Sequence, residues 1–340
     1  MADRRVLLVA SPATLQHDPV PGHPEQPERQ RAVLRGAASL GLGAVLPTIE
    51  PRPATLDELA AVHAAGYLDA LRQLCDRGGG WIDGDTAAGP RSWAAASLAA
   101  GAGLEAVARL RAGEADAAFC AVRPPGHHAT PRRPMGFCLL NNVAVTAASL
   151  AGGGERVLVV DIDAHHGNGT QDAFWDDPRV AYVSFHQWPL YPGTGALGEV
   201  GGAQARGLTV NVPFPPGTEG DPYRAAVDDL LVPLVGSFQP TWLLISAGFD
   251  AHRADPLTTL GLTSGDYGDL TARLAALVPA GRVIAFLEGG YDLDALERCT
   301  AATVAALAGH DHHPEPVTSG DRGRAVVAEA AKAHRRASGD

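Results

Sequence analysis

Seven short apolar runs recur along the chain, each bounded by glycine, proline or charged residues. Within these runs apolar and polar positions do not alternate, which indicates strands buried on both faces, as in a parallel sheet. The sequence therefore predicts strands at 6–10, 117–122, 156–163, 180–186, 208–213, 241–248 and 282–290.

Alanine-rich stretches with helical spacing lie between the predicted strands. This alternation is typical of an α/β fold, here a central, mostly parallel sheet with helices on both faces. No Ser/Pro-rich linker divides the 340 residues, so we expect one main domain over 1–308. Residues 309–340 should add a loop and a C-terminal surface helix that packs on this domain or trails it. The predicted helices are 91–112, 141–151, 222–236, 265–278 and 292–308, with 325–338 as the final one.

Acidic residues outnumber basic ones by 38 to 27, which gives a formal net charge of −11. This balance lacks the basic footprint of a nucleic-acid-binding protein, so we expect no nucleic-acid partner. No run of about 18 apolar residues is present, so we expect no membrane span. The apolar run at 6–10 is too short for a signal-peptide core, and the sequence predicts a soluble cytoplasmic protein.

The four cysteines stand far apart and form no CxxC pair, so they fit neither a disulfide framework nor a thiolate zinc site. We expect free, mostly buried thiols in a reducing compartment. The residues are Cys75, Cys120, Cys138 and Cys299.

Four of the predicted strands end in polar segments. Open parallel sheets bind ligands at the carboxyl ends of their strands, so these four ends are predicted to form one pocket rim. The segments are RPPGHH (123–128), DIDAHH (161–166), SAGFDAHRADP (246–256) and LEGGYD (287–292).

The second segment places Asp161, Asp163 and His165 at positions i, i+2 and i+4, on one side of an extended backbone. Asp163 and His165 can chelate one metal ion, with Asp250 as a third ligand from another strand end. Two carboxylates balance a divalent cation, and three protein ligands leave a position open, as in catalytic zinc sites. The alternatives are a charged turn for the first motif and a helix N-cap for Asp250.

Two other groups of histidines are interpreted as structural. His166 falls on the opposite side of the strand from His165. The cluster of His310, His312 and His313 could bind a metal weakly, but its sequence context favours a solvated loop at 309–316.

The adjacent His127 and His128 follow Pro-Pro-Gly, which predicts an irregular loop. One imidazole can act as a base on a metal-bound water while the other stays cationic or acts as an acid. Each needs an orienting partner on its second ring nitrogen, and Asp161 and Asn168 are the candidates.

Tyr291 follows Gly289-Gly290 at a strand end, where its phenol could donate a hydrogen bond to a substrate carbonyl. The alternative interpretation is a turn with an aromatic lid.

Read together, these segments resemble the histone deacetylase and acetylpolyamine amidohydrolase superfamily over about residues 17–300. Asn168 and the motifs SAGFD (246–250) and LEGGY (287–291) are similar to the class II branch of this superfamily. The resemblance implies a deacetylase catalytic domain over 1–308 with an arginase/deacetylase-like fold. The motifs are HPEQPER (23–29), RPPGHHA (123–129), GFCLLNNVA (136–144), VDIDAHHGNGTQDAF (160–174), YPGTG (191–195), VNVP (210–213), SAGFDAHRADP (246–256) and LEGGY (287–291).

The resemblance implies a metal-dependent deacetylase that hydrolyses linear amides with one Zn²⁺ per chain. A metal-activated water attacks the acyl carbonyl, and a histidine protonates the leaving amine. The implied roles are zinc ligands for Asp163, His165 and Asp250, tandem histidines for His127 and His128 with partners Asp161 and Asn168, and carbonyl polarisation for Tyr291.

The resemblance also implies ion and channel residues. A structural K⁺ would be bound by backbone oxygens of Asp161, Asp163, His165 and Phe185 together with the hydroxyl of Ser184, and a second K⁺ would bind near Phe174, Asp177 and Val180. Aromatic channel walls correspond to Phe137 and Tyr191, with Leu257 and the rim residue Asp85 at the mouth, and Arg29 corresponds to an arginine of the acetate-release cavity.

The expected substrate is an acylated lysine in a protein or peptide, and the alternative is an acetylpolyamine or another small acylamine. A catalytically silent acyl-lysine binder would have lost a ligand or Tyr291, and both are present. A dinuclear arginase-type enzyme would need further Asp ligands, for which His252 is a poor substitute. The sequence leaves the oligomeric state open, a homo-oligomer included.

Overall fold

The structure of the chain is a computed structural model that describes residues 4–339. Over this range the chain forms ten strands, eight of which belong to one sheet. The strands are β1 (Val6–Val9), β2 (Thr48–Ile49), β3 (Gly80–Trp81), β4 (Ala87–Ala88), β5 (Ala117–Cys120), β6 (Val157–Asp161), β7 (Val180–Gln187), β8 (Thr209–Phe214), β9 (Trp242–Ala247) and β10 (Val283–Leu287).

Helices connect most of the strands. The α-helices in the described part of the chain are α1 (Pro27–Ser39), α2 (Leu56–Ala60), α3 (Ala65–Asp76), α4 (Ser92–Arg111), α5 (Asn142–Gly152), α6 (Asn168–Phe174), α7 (Gly220–Ala226), α8 (Val232–Phe238), α9 (Ser264–Ala275), α10 (Leu293–Leu307) and α11 (Arg324–Ser338).

The main sheet has the strand order β2-β1-β5-β10-β9-β6-β7-β8, and every neighbouring pair is parallel. Every residue of β5, β6, β9 and β10 is buried, which explains why these strands show no alternation in the sequence. All seven predicted strands are present with ends shifted by a few residues, and the predicted α/β fold class is confirmed. The strands that the pattern missed, β2, β3 and β4, have two residues each.

Helices cover both faces of this sheet. On one face the core includes Val33 of α1, Leu270 of α9 and Leu296 of α10. On the other face it includes residues of α4 and α5. The close approach of α1 to α10 depends on Gly36, because a Cβ there would lie 2.2 Å from the carbonyl oxygen of Glu297.

The predicted helix at 222–236 is interrupted in the structure. A π-helical turn at Val227–Leu231 separates α7 from α8, and the Val232 N–H donates to the Val227 carbonyl. Pro233 has no N–H, so the normal α-helical bond to the carbonyl four residues earlier cannot form there.

Two expectations about the whole chain can be compared with the described residues. All four cysteines are free and buried, as predicted. None of the helices between residues 4 and 339 is long and apolar enough to cross a bilayer.

A buried ionic cluster around Glu25 joins the start of α1 to the centre of the sheet. The Glu25 carboxylate accepts from Arg123 at 2.5 and 2.6 Å and from Arg29 at 3.0 Å. Arg29 also donates to the carbonyls of Glu288 (2.5 Å) and Gly290 (2.6 Å), just after β10. Burial alone would raise the pKa of Glu25, but Arg123 and His17 hold it well below its usual value, so the carboxylate is charged.

We predict that Glu25→Ala destabilises the fold by about 3–5 kcal/mol, because it leaves two buried guanidinium groups without their counter-ion. Urea unfolding followed by circular dichroism measures this loss. The control is Glu28→Ala, which removes an exposed ion pair with Arg31 and should change the unfolding free energy by less than about 0.5 kcal/mol. Equal effects of the two substitutions would contradict the role of the cluster.

Candidate active site

The four polar segments follow strands that are direct neighbours in the sheet. β5, β10, β9 and β6 are consecutive in the strand order, and all four run in the same direction. Their carboxyl ends therefore meet at one edge, and the structure brings the predicted rim together.

The side chains of Asp163, His165 and Asp250 converge at this edge. One donor atom from each lies within 4.8 Å of the others. Nδ1 of His165 is 2.8 Å from Oδ2 of Asp250 and 3.2 Å from Oδ1 of Asp163. Both carboxylates are fully buried, and backbone N–H groups fix them: Gly289 donates to Asp163 at 2.8 Å, and Ala164 donates to Asp250 at 2.7 Å.

Two glycines make room for the carboxylates. A Cβ at Gly248 would lie 1.9 Å from Oδ2 of Asp163, and a Cβ at Gly289 would lie 2.3 Å from Oδ2 of Asp250. Only glycine leaves the two carboxylates free to converge. This donor set of two carboxylates and one imidazole, closely surrounded by backbone, fits a divalent cation such as Zn²⁺.

Burial, repulsion between the carboxylates and attraction to the imidazole together set the pKa values of this donor set. Burial, with the nearby Asp163 carboxylate, raises the pKa of Asp250 to about 7. Burial opposes protonation of His165, but Asp250 and Asp163 outweigh it and raise the pKa of the imidazole to about 10. The imidazolium thus supplies positive charge between two buried carboxylates, a role that a bound divalent cation can take over.

The tandem histidines lie beside this cluster, each with the predicted partner. Nδ1 of His127 is 3.0 Å from Oδ2 of Asp161, and Nδ1 of His128 is 2.9 Å from Oδ1 of Asn168. The centroids of the two imidazole rings are 4.0 Å apart, and both residues are buried.

The two imidazoles have opposite pKa shifts. Burial lowers the pKa of both, but the carboxylates of Asp163 and Asp161 outweigh it at His127 and raise that pKa well above its usual value. At His128, burial and the neighbouring His127 hold the pKa well below its usual value. The amide partner Asn168 adds no negative charge, so His127 is the cationic ring and His128 the neutral one.

Glu288 supports the histidine loop, although sequence reasoning gave it no role. Its Oε2 accepts from the backbone N–H of Gly126 at 2.6 Å and of His127 at 3.1 Å. Burial raises its pKa to about 7. The sequence signal for this role is a charged residue within the otherwise apolar predicted strand at 282–290.

Asp255 is a second residue that sequence reasoning missed. One carboxylate oxygen accepts from the N–H of Tyr291 at 2.7 Å, and the other accepts from the N–H of Leu257 at 2.9 Å. Asp255 therefore ties the turn of Tyr291 to the loop that follows β9.

A cavity of about 240 Å³ leads from the surface to the cluster. The Phe137 ring packs edge-on against Tyr291 at 5.7 Å, and Tyr191 packs edge-on against His128 at 5.2 Å. Leu257 and Tyr191 are 39% and 38% exposed, which places them at the mouth. The cavity is lined by Asp85, His128, Gly136, Phe137, His165, Leu190, Tyr191, Leu257 and Tyr291.

Tyr291 is one of the residues that line this cavity. Burial raises its pKa well above its usual value, so the phenol keeps its proton and can donate it in a hydrogen bond. The guanidinium carbon of Arg29 is 4.9 Å from the centre of its ring, which places the predicted Arg29 directly beside Tyr291.

The residues predicted for the first potassium site lie at the end of β6, in the loop that follows it, and in β7. Ser184 is paired with Asp161 in the β6–β7 register, and its hydroxyl contacts Nδ1 of His186 at 2.9 Å. The Phe185 ring packs in the core against Phe214 and Tyr223. The second set, Phe174, Asp177 and Val180, connects α6 to β7 through backbone hydrogen bonds. Potassium binding stays a prediction.

The remaining histidines lie outside the cluster. His166 contacts Thr194 and Gln171, as expected for a structural residue. His252 contacts Glu315. Among the described residues, His310, His312 and His313 are not among the groups whose donor atoms are close enough to hold one metal ion.

The structure thus brings a buried carboxylate–imidazole donor set, a histidine pair and a tyrosine to one edge of an α/β sheet. Residues 23–307 match the Histone deacetylase domain model. The chain therefore belongs to the histone deacetylase family, which confirms the predicted resemblance and enzyme class.

Individual relatives agree with this assignment. A probable deacetylase of Archaeoglobus fulgidus is 40% identical over 304 residues, covering 87% of this chain and 84% of that protein. A histone deacetylase-like amidohydrolase of Pseudomonas aeruginosa is 37% identical over 294 residues, covering 85% of this chain and 77% of that protein. The crystal structure of the HDA15 HD domain superposes with a TM-score of 0.90 at 35% identity, covering 98% of this chain and 95% of the other.

Proposed function

We propose that this protein removes acetyl or other acyl groups from lysine side chains by zinc-dependent hydrolysis of the amide. The observation that carries the proposal is the convergence of Asp163, His165 and Asp250 at the inner end of an aromatic-walled cavity that also contains His128 and Tyr291. The substrate class is an acylated lysine in a protein or peptide.

The residues that line the cavity suit the linear side chain of an acylated lysine. Phe137 and Tyr191 offer aromatic surface for the methylene stem of a lysine, and Leu257 adds an apolar wall at the mouth. The half-buried Asp85 at the same mouth is the candidate acceptor for backbone N–H groups of a bound peptide. Thr86 fixes this carboxylate with a hydrogen bond of 2.8 Å.

A zinc ion held by Asp163, His165 and Asp250 would polarise the acyl carbonyl and lower the pKa of water. The phenol of Tyr291 donates a hydrogen bond to the carbonyl oxygen as negative charge develops on it. The neutral His128 accepts a proton from the attacking water, and the cationic His127 stabilises the developing negative charge. His128 then returns the proton to the amine nitrogen as the C–N bond breaks, giving a carboxylate and a free amine.

Other parts of the proposal concern the protein as a whole. Residues 1–308 would form the catalytic domain and 309–340 its C-terminal extension. Structural K⁺ would bind at Asp161, Asp163, His165, Ser184 and Phe185, and a cytoplasmic location agrees with the free, buried thiols.

The first prediction is that Asp250→Ala releases the metal, because it leaves only two ligands. Metal content after dialysis should fall from one zinc per chain to near zero, and activity should fall with it. The control is Asp311→Ala, whose carboxylate is 86% exposed in the loop after α10 and should leave metal content unchanged. A variant Asp250→Ala with full zinc content and turnover would refute the ligand assignment.

The second prediction is that Tyr291→Phe lowers kcat by about 10²–10³-fold, as expected for the loss of one oxyanion donor. Zinc content should not change, because the phenol is not a ligand. Tyr191→Phe is the matched control: it deletes a hydroxyl in the same cavity, keeps the ring, and should leave kcat within about threefold. Near-normal hydrolysis of an acetyl-lysine peptide by Tyr291→Phe would argue against its role.

The third prediction separates two substrate classes. Leu257 offers no counter-charge for the internal ammonium of a polyamine, whose desolvation would go unpaired. The net charge of −11 attracts polycations at long range, but salt screens this attraction. We therefore expect acetyl-lysine peptides to exceed acetylspermidine in kcat/KM at physiological ionic strength.

Leu257→Glu should shift this ratio toward the polyamine, whereas the neutral control Leu257→Gln should not. The comparison needs both substrates assayed side by side in the same buffer. A clear preference of the unmodified enzyme for acetylspermidine would identify an acetylpolyamine amidohydrolase instead.

A further inference from the structure

The loop from Asp250 to Thr258 carries three groups of the site, and we call it the ligand loop. Asp250 belongs to the metal donor set, Leu257 lines the mouth of the cavity, and Asp255 holds the N–H of Tyr291. The position of this loop therefore affects the metal, the phenol and the channel together.

The ligand loop is anchored by a residue far away in sequence. His252, the third residue of the loop, is buried, and its Nε2 lies 2.8 Å from Oε2 of Glu315. The next residue, Arg253, donates to Oε1 of the same carboxylate at 2.8 Å. Glu315 lies in the segment after α10, outside the predicted catalytic domain.

Glu315 also accepts hydrogen bonds from the start of α9. The backbone N–H and the hydroxyl of Ser264 donate to its Oε2 at 3.1 and 3.0 Å. Burial alone would raise the pKa of Glu315, but His252 and Ser264 hold it at about 2, so the carboxylate is charged at neutral pH. One carboxylate thus joins the ligand loop to a helix.

The segment that carries Glu315 is itself closely packed on α9. A Cβ at Gly265 would lie 2.2 Å from the Glu315 carbonyl oxygen, so backbone and backbone are in contact. The Thr263 hydroxyl donates to the Pro316 carbonyl at 2.7 Å, and the Thr318 hydroxyl donates to Asp266 at 2.7 Å. These contacts hold the segment that carries Glu315 against the start of α9.

We propose that Glu315 is a positioning residue for the active site, acting through His252 and Arg253 to hold the ligand loop. The inference rests on the proposed function, since it assumes that Asp250 binds the metal. Without Glu315 the buried Nε2–H of His252 would lose its acceptor, and the loop would have to move to find another. The C-terminal extension would then be part of the catalytic unit.

The test is Glu315→Ala in the full-length chain, with Glu315→Gln as the conservative variant that keeps an acceptor oxygen. We expect Glu315→Ala to weaken zinc binding by about 10–100-fold, measured by competition with a chromogenic chelator, as for the loss of other outer-shell partners. With zinc in excess, kcat on an acetyl-lysine peptide should fall by a similar factor while KM changes little. Glu315→Gln should retain most of the zinc affinity and most of kcat.

The matched control is Glu297→Ala, which removes an ion pair of 2.8 Å between α10 and α1 without touching the ligand loop. Thermal unfolding of the zinc-free proteins shows how much each substitution affects the fold. A merely structural role would lower the melting temperature of Glu315→Ala and leave its zinc affinity and kcat at the control values, which would overturn the inference.

His252→Phe deletes the donor, keeps a ring of similar size, and carries the test if Glu315→Ala does not fold. Its zinc affinity should fall like that of Glu315→Ala, and wild-type affinity would overturn the inference. Where both variants fold, the double variant Glu315→Ala/His252→Phe should lose little more zinc affinity than either single variant, because both substitutions remove the same contact. If the unmodified chain binds no zinc, the proposed function and this inference are both overturned. If the unmodified chain is active and binds zinc, but Glu315→Ala has the same zinc affinity and kcat, only this inference is overturned.

Discussion

Two carboxylates that are fully removed from water stand side by side at the edge of the sheet, and much of the molecule serves to hold them there. Asp163 and Asp250 repel each other, and burial denies both of them hydration. Such a pair is stable only with a positive charge between the carboxylates and with hydrogen bonds on their remaining lone pairs. His165, the N–H groups of Ala164 and Gly289, and the space left by glycine meet these needs.

The same principle extends outward through a second layer of buried carboxyl groups. Glu288 holds the backbone of the histidine loop, Asp255 holds the turn of Tyr291, and Glu25 neutralises the arginine that contacts that turn. Each of these carboxyl groups accepts hydrogen bonds from main-chain N–H groups or from a guanidinium group, and none of them is assigned a contact with the substrate. The reacting side chains therefore stand on a backbone that is fixed by hydrogen bonds to buried carboxyl groups, which is how a site keeps its geometry while substrate and product exchange.

The parts of the site that follow from strand ends and from the family motifs could be predicted, whereas the loop contacts that support those parts could not. The i, i+2, i+4 spacing from Asp161 to His165 follows directly from strand geometry. The partner of His252 is 63 residues away along the chain, in a segment whose composition predicts only a loop. Two-residue strands such as β2 give no periodicity, and the π-helical turn before α8 depends on a single missing N–H at Pro233.

The strand order has a consequence for how the chain acquires its shape during synthesis. β10 lies in the middle of the sheet, between β5 and β9, although it is the last of the ten described strands to be synthesised. Until about residue 290 has emerged, the two halves of the sheet have no common neighbour, and the tyrosine turn cannot close over the donor set. Such non-local pairing makes folding slow and highly cooperative. A chain that ends before β10 would therefore leave the facing edges of β5 and β9 unpaired, and unpaired apolar strand edges favour aggregation.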